Sequence, residues 1–130
     1  MDNPSCIIGT GIDLVENVRI AASIEKFGDR FLHRIFTEGE IAYCGAMAYP
    51  VPHYAARFAA KEAVSKAFGC GIGKTLGWRD MEVTRDELGA PHIVLHGDAV
   101  PLAAQRGVRT VFVSLTHTEH HAAASATLAG

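Results

Sequence analysis

The apolar positions of the first half of the chain recur at helical spacing. Residues 18–27 place apolar side chains three and four apart, which predicts an amphipathic helix that Gly28 ends. Thr37 followed by Glu40 forms a capping box, which predicts that a second helix begins there.

A long third helix is predicted over residues 53–68. Pro50 and Pro52 are expected to break the chain before it, and Gly69 favours the left-handed conformation in which many helices end. Near the N-terminus, the apolar residues 6–9 predict a buried strand.

The second half shows the alternation typical of strands. The predicted strands cover residues 81–84, 91–95, 110–115 and 122–128, and a short helix covers residues 99–105. A turn around Gly89 joins the first two strands into a hairpin. Helices combined with antiparallel strands predict an α+β fold, and the length predicts a single domain over residues 1–130.

Composition and charge exclude several classes of protein. The 130 residues are 48% hydrophobic with a formal net charge of -2, so nothing indicates a nucleic-acid partner. Residues 1–6 lack the features of a signal peptide, and no apolar run is long enough to span a membrane, so we expect a cytoplasmic protein. Cys6, Cys44 and Cys70 share no CxxC spacing, which argues against a disulfide framework or a thiolate metal site.

Asp13 is the first candidate for chemistry. It follows Gly9 and Gly11 at the end of an apolar segment, where a carboxylate is costly to bury unless it is paired or binds a metal. Two interpretations stay open from the sequence: Asp13 caps the next helix, or it contributes to a metal site.

The third helix carries a second group of candidates. Arg57, Lys61, Glu62 and Lys66 fall within three turns among alanines. This pattern is common on surface helices with ordinary ion pairs. Alternatively, Asp13 and Glu62 could supply two carboxylates to Mg²⁺ while the three cations bind phosphates, because Mg²⁺ favours carboxylates together with phosphate oxygens.

Two further motifs are weaker. Residues 69–75 look like a phosphate loop, but Phe68 stands where that motif needs glycine, so a P-loop is rejected. His117 is expected at the end of a strand, where it could act as a base or bind phosphate. With His120 and His121 it could also form a zinc site, although a structural role is the simpler interpretation for His121.

These motifs together resemble the short bacterial holo-[acyl-carrier-protein] synthases of the 4′-phosphopantetheinyl transferase family. The resemblance covers nearly the whole chain, in order and at the spacing of that family. The matching segments are residues 11–16, 36–40, 57–63, 66–69, 89–91 and 113–117.

The resemblance implies a fold in which an antiparallel sheet packs with a long central helix. It implies transfer of the 4′-phosphopantetheine of coenzyme A to a serine of an acyl carrier protein, with Mg²⁺ as cofactor. Asp13 and Glu62 would then ligate Mg²⁺, Lys66 would contact phosphate, and Arg57 and His117 would bind the nucleotide end.

The resemblance also implies partners. It predicts a homotrimer with active sites between subunits and a basic surface for the acidic carrier protein, here Arg19, Lys26, Arg30 and Arg34. The sequence does not choose the acceptor of the serine proton among Glu62, His117 and a water at the metal. Rival interpretations are a non-catalytic module that binds coenzyme A or nucleotide, and a structural trimer in which Asp13 and Glu62 lie apart.

Overall fold

The computed structural model of the protein describes residues 6–130, so the expectation about residues 1–5 lies outside the described residues. The helices are α1 (Asn17–Phe27), α2 (Asp29–Ile35), α3 (Glu38–Gly45), α4 (Pro50–Phe68) and α5 (Ala99–Gln105). The strands are β1 (Ile7–Glu16), β2 (Met81–Arg85), β3 (Pro91–Leu95), β4 (Thr110–His117) and β5 (His121–Ala129). None of the described helices is long and apolar enough to cross a lipid bilayer.

The strands form two antiparallel sheets around the long helix. One sheet has the order β1-β5-β4, and β2 pairs with β3 in a separate hairpin. Helix α4 packs against all three strands of the larger sheet. The prediction of an α+β fold with an antiparallel sheet on a long central helix is therefore confirmed.

Small side chains explain how α4 and the sheet come together. Ala122, Ala124 and Ala126 of β5 are buried, and so are Ala59 and Ala63 of α4. Alanine is a weak strand former, but here it lets a helix lie close to the centre of the sheet. The predicted pairing of the alanine-rich segment with the preceding strand is confirmed.

The predicted buried strand near the N-terminus is wrong in extent and in environment. Strand β1 has ten residues, and among residues 6–130 it pairs with β5 alone, at the edge of the sheet. Ile7 is 70% exposed, as are Ile12 at 70% and Leu14 at 68%. Together with Phe112 on β4, 59% exposed, these residues give the sheet an apolar face that no described residue of the chain covers.

The helix boundaries show where local signals succeeded. The Thr37 hydroxyl accepts from the Glu40 backbone N–H at 3.3 Å, and the Glu40 carboxylate accepts from the Thr37 N–H at 2.8 Å, so the capping box is confirmed. Gly69 ends α4 with φ 75°, as predicted. Pro50 begins α4 three residues earlier than expected, because proline fits the first turn of a helix. Gly28 ends α1, but α2 follows at once and was not predicted.

Candidate active site

Strand β1 touches helix α4 without side chains between the two backbones. A Cβ added to Gly11 would lie 2.0 Å from the carbonyl oxygen of Ala63, and one added to Gly9 would lie 2.0 Å from that of Ala67. Both distances are far shorter than a van der Waals contact, so only glycine permits this approach. The close approach brings Asp13, two residues beyond Gly11, to the helix.

Asp13, Glu62 and Lys66 meet at this junction. Lys66 Nζ lies 3.0 Å from Asp13 Oδ1 and also donates to the Ile12 carbonyl at 3.0 Å. Burial raises the pKa of the Glu62 carboxyl, the nearby charge of Asp13 raises it further, and Lys66 opposes both. Asp13, Glu62 and Lys66 therefore form a polar centre, in which two carboxylates repel each other and one ammonium attracts both.

The interpretation of Asp13 as a helix cap is wrong. Helix α1 begins at Asn17, its N-cap is Glu16, and no side chain caps it. Asp13 lies within β1 instead, and its side chain is 17% exposed.

The polar centre lines a cavity of ≈ 440 Å³. Phe31 and Phe58 form part of its apolar wall, and Arg19 lies at the same cavity. The ring of Phe58 stacks on Trp78 with centroids 4.9 Å apart, which holds this wall in place. The cavity thus combines three charged groups with an apolar wall.

The two carboxylates fit the requirements of Mg²⁺. They are hard oxygen donors on different elements that line one cavity, and the partial burial of Glu62 favours a counter-cation. Mg²⁺ typically takes one or two protein carboxylates and completes its shell with water and substrate phosphates. Among the described residues no group of three His, Cys, Asp or Glu could hold a metal, so a metal here depends on substrate oxygens and water as well.

Lys61 is buried and already paired. Its ammonium lies 2.8 Å from the Glu40 carboxylate and donates to the carbonyls of Trp78 and Met81 at 2.9 and 2.6 Å. With an exposure of 0% it is not available to a phosphate. Helix α4 is therefore an interior helix, and the interpretation as a surface helix with ordinary ion pairs is wrong.

Arg57 and His117 lie in a second region. Arg57 is 1% exposed, and its guanidinium stacks on Tyr43 with 4.3 Å between Cζ and the ring centroid. The rings of His53 and His117 meet edge to face at 5.0 Å between centroids. Both histidines line an open, mostly apolar cavity of ≈ 850 Å³ that also includes Tyr49.

The predicted site residues thus form two groups within one chain. Asp13, Glu62 and Lys66 line the first cavity, whereas His117 lines the second, and neither cavity includes residues of the other group. His53, which lines the second cavity with His117, was not among the residues predicted from the sequence. The sequence places it one helical turn before Arg57, and residues at this spacing lie on one face of a helix. In the structure Arg57 donates to the His53 carbonyl at 3.3 Å.

The four predicted docking residues are all exposed. Arg19 and Lys26 lie on α1, and Arg30 and Arg34 lie on α2. Arg19 connects this basic surface to the first cavity, because it lines that cavity beside Asp13.

Comparison with known proteins gives a consistent result. A family model described as the 4′-phosphopantetheinyl transferase superfamily matches residues 9–125. A holo-[acyl-carrier-protein] synthase of Koribacter versatilis is 52% identical, over 94% of this chain and 98% of its own length. The holo-[acyl-carrier-protein] synthase of Solibacter usitatus is 49% identical, over 86% of this chain and 90% of its own length.

Solved structures agree in fold. The Helicobacter pylori holo-[acyl-carrier-protein] synthase in complex with coenzyme A superposes with a TM-score of 0.82 at 30% identity, over 92% of this chain and 98% of that one. The Bacillus anthracis holo-(acyl-carrier-protein) synthase in complex with CoA (3′,5′-ADP) superposes with a TM-score of 0.78 at 36% identity, over 95% of this chain and 97% of that one. The match of the family model and the level of identity establish that the chain belongs to the 4′-phosphopantetheinyl transferase superfamily.

Proposed function

We propose that this protein transfers the 4′-phosphopantetheine of coenzyme A to a serine of an acyl carrier protein. The observation that carries the proposal is the junction of β1 and α4, where Asp13, Glu62 and Lys66 line one cavity. The relatives named holo-[acyl-carrier-protein] synthases support it, as do related structures with bound coenzyme A.

In the proposed reaction the serine hydroxyl oxygen forms a bond to the phosphorus that carries the pantetheine. The P–O bond to the second phosphate breaks, and 3′,5′-ADP leaves with the electron pair. Such transfers depend mainly on positioning and on stabilising negative charge. Lys66 would neutralise charge on the diphosphate, because its ammonium is half exposed and already directed into the cavity by Asp13.

Asp13 and Glu62 would hold Mg²⁺, which supplies Lewis-acid stabilisation of phosphate oxygens when it is bound. Within one chain Glu62 lines the cavity of Asp13 and Lys66, and His117 lines the other cavity, so both are candidates for the serine proton in a site shared between subunits.

His117, in the lining of the second cavity, would serve the nucleotide end of coenzyme A, and the buried Arg57 beside that cavity would contribute positive charge. Because one chain keeps the two groups in separate cavities, we propose that a complete site forms where the first cavity of one subunit meets the second cavity of another. The uncovered apolar face around Ile12, Leu14 and Phe112 supports self-association. The homotrimer implied by the family resemblance is our proposed assembly.

The basic surface formed by Arg19, Lys26, Arg30 and Arg34 would dock the carrier protein. All four side chains are exposed on consecutive helices, so they can present positive charge to an acidic partner and steer its approach. The cytoplasmic location stays a prediction.

The test is intact-mass spectrometry of an apo acyl carrier protein incubated with this protein, coenzyme A and Mg²⁺. We expect a gain of roughly 340 Da, the mass of one phosphopantetheine, that EDTA abolishes. Asp13→Asn should reduce the rate by at least about 100-fold with the fold intact, because even groups that only orient a metal ligand contribute 10–100-fold.

The alternative, a non-catalytic module that binds coenzyme A, predicts binding without any mass gain. A folded protein that binds coenzyme A but modifies none of several carrier proteins would favour that alternative.

A further inference from the structure

The second cavity borders a cluster of four cationic or potentially cationic groups. Arg57 and Arg85 approach one ring, that of Tyr43, with Cζ at 4.3 and 5.7 Å from its centroid. His53 lies edge-on to the same ring at 6.3 Å and contacts His117 at 5.0 Å. Among residues 6–130 neither arginine has a carboxylate within salt-bridge distance.

Arg57 is the unusual member of this cluster. Its side chain is buried, and its Nη1 donates to the His53 carbonyl at 3.3 Å. Its Nε has no hydrogen-bond partner in the described part of the chain. A buried charge without a counter-ion is costly. An anion bound at the cluster would lower that cost.

His53 is the group whose charge state responds to this environment. Arg57 of its own helix, Tyr43 of α3, Arg85 of β2 and His117 of β4 face it. Burial lowers the pKa of the His53 imidazole most, and the charges of His117, Arg57 and Arg85 lower it further. This environment therefore favours the neutral form of the ring.

Two polar residues on the remaining sides of the cavity do not balance this charge. Asn17 is neutral, and its amide donates to the carbonyls of Thr118 and Glu119. The Glu119 carboxylate lines the cavity but is 87% exposed, so water screens it.

We propose that His53 is a second histidine ligand, beside His117, for a phosphate dianion, and that binding of the dianion is coupled to uptake of a proton by His53. The inference rests on the proposed function, since it names the phosphate-binding chemistry of the nucleotide end and adds His53 to it. An incoming dianion attracts the positive charges that otherwise repel one another in the cluster, so His53 gains charge as the site fills.

The coupling has a defined sign. Because His53 takes up a proton on binding, affinity for the dianion falls as the pH rises through the range in which His53 loses its charge. A hydrogen bond from a charged imidazole to phosphate is roughly twice as strong as one from a neutral ring, so His53 contributes most on the acidic side.

Isothermal titration calorimetry with adenosine 3′,5′-bisphosphate, on the full chain with Mg²⁺, tests the inference. Titrations in two buffers of different ionisation enthalpy give the number of protons taken up. For His53→Phe, which keeps the ring but cannot titrate, we expect roughly tenfold weaker binding near pH 6.5 and a change under about twofold near pH 8. The ligand's own phosphate titrates in both proteins, so the difference between them isolates His53.

His33→Phe is the matched control, because His33 lies on α2 and its ring contacts Asp29 and Glu38 instead. It should leave proton uptake unchanged. If His53→Phe unfolds at lower temperature than the wild type, His53→Gln replaces it. Equal proton uptake by the wild type and the His53 variant would overturn the inference while leaving the proposed function intact. A wild-type protein that binds no adenosine 3′,5′-bisphosphate at either pH would overturn both.

Discussion

The ammonium of Lys61 and the carboxylate of Glu40 form an ion pair of 2.8 Å in which both side chains are 0% exposed. Glu40 also accepts from the backbone N–H of Thr37 and of Val83, each at 2.8 Å. Lys61 donates to two further carbonyls. The pair therefore connects α3, α4 and the start of β2.

Removing one partner of this pair should destabilise the protein strongly. Lys61→Ala leaves the Glu40 carboxylate buried without a counter-charge, and we expect a loss of about 3–5 kcal/mol in the free energy of unfolding. The double variant Glu40→Gln with Lys61→Met should lose less than Lys61→Ala, because no charge stays buried. Urea denaturation measures both, and a loss below about 1 kcal/mol for Lys61→Ala would contradict the structural role assigned to the pair.

The contact between β1 and α4 gives a second prediction. Gly11→Ala places a methyl group 2.0 Å from the Ala63 carbonyl, so the strand must move away and carry Asp13 from Glu62 and Lys66. We expect transfer activity to fall by about 100-fold, since small displacements of a catalytic group have effects of that size.

Gly71→Ala is the matched control for this prediction. Gly71 is exposed in the loop after α4, and an added Cβ meets no atom within 4 Å. Steady-state transfer assays should show normal rates for Gly71→Ala. Equal rates for both variants would show that the close approach at Gly11 does not position the site.

The pH dependence of stability should report on Glu82. A hydrogen bond from the Thr37 hydroxyl, at 2.7 Å, is the main reason that the pKa of the Glu82 carboxyl is lowered, and His96 at 2.9 Å adds to it while burial opposes it. A lowered pKa in the folded state gives stability that is present above the unfolded pKa and lost as the pH falls through the folded pKa.

Glu82→Gln should therefore lower the free energy of unfolding by on the order of 1 kcal/mol at neutral pH. The difference from the wild type should shrink as the pH falls below about 4, where the unfolded carboxyl takes up a proton first, and it should vanish below the lowered pKa of the folded carboxyl. Thermal unfolding across a pH series measures this, and a difference that stays constant into acid would be incompatible with the role of the Glu82 charge.

The apolar sheet face predicts the effect of a charge on assembly. Phe112→Glu places a carboxylate on the β4 side of this face, so we expect the oligomer to dissociate and transfer to be lost, because charge is depleted from interface cores. Leu88→Glu is the control, since Leu88 is 94% exposed at the tip of the β2–β3 hairpin. Sedimentation velocity should give the monomer mass for Phe112→Glu alone. A wild-type protein that is already monomeric would rule out the shared site.

The basic surface predicts a defect specific to the carrier protein. Lys26→Glu combined with Arg30→Glu should raise the KM for the carrier roughly tenfold, and the effect should diminish with salt. The Kd for coenzyme A should not change. Lys74→Glu, a charge reversal on the exposed loop after α4, should leave the KM for the carrier unchanged. If both variants behave alike, net charge rather than this surface steers the carrier.

Local sequence signals determined much of this protein. The capping box at Thr37, the left-handed cap at Gly69 and the β2–β3 hairpin each depend on interactions between residues close in the chain. Such interactions have the same consequence in most folds, so the pattern was sufficient to predict them. The ordered set of motifs likewise predicted the family.

Tertiary packing decided the rest. That Asp13 meets Glu62 and Lys66 depends on the approach of β1 to α4, since these residues are about fifty positions apart in the chain. The burial of Lys61 depends on Glu40, and the exposure of Ile12 depends on which strand lies at the edge of the sheet. Sequence patterns specify which residues prefer burial or charge, but long-range contacts determine which of them meet, because they arise only when distant elements pack together.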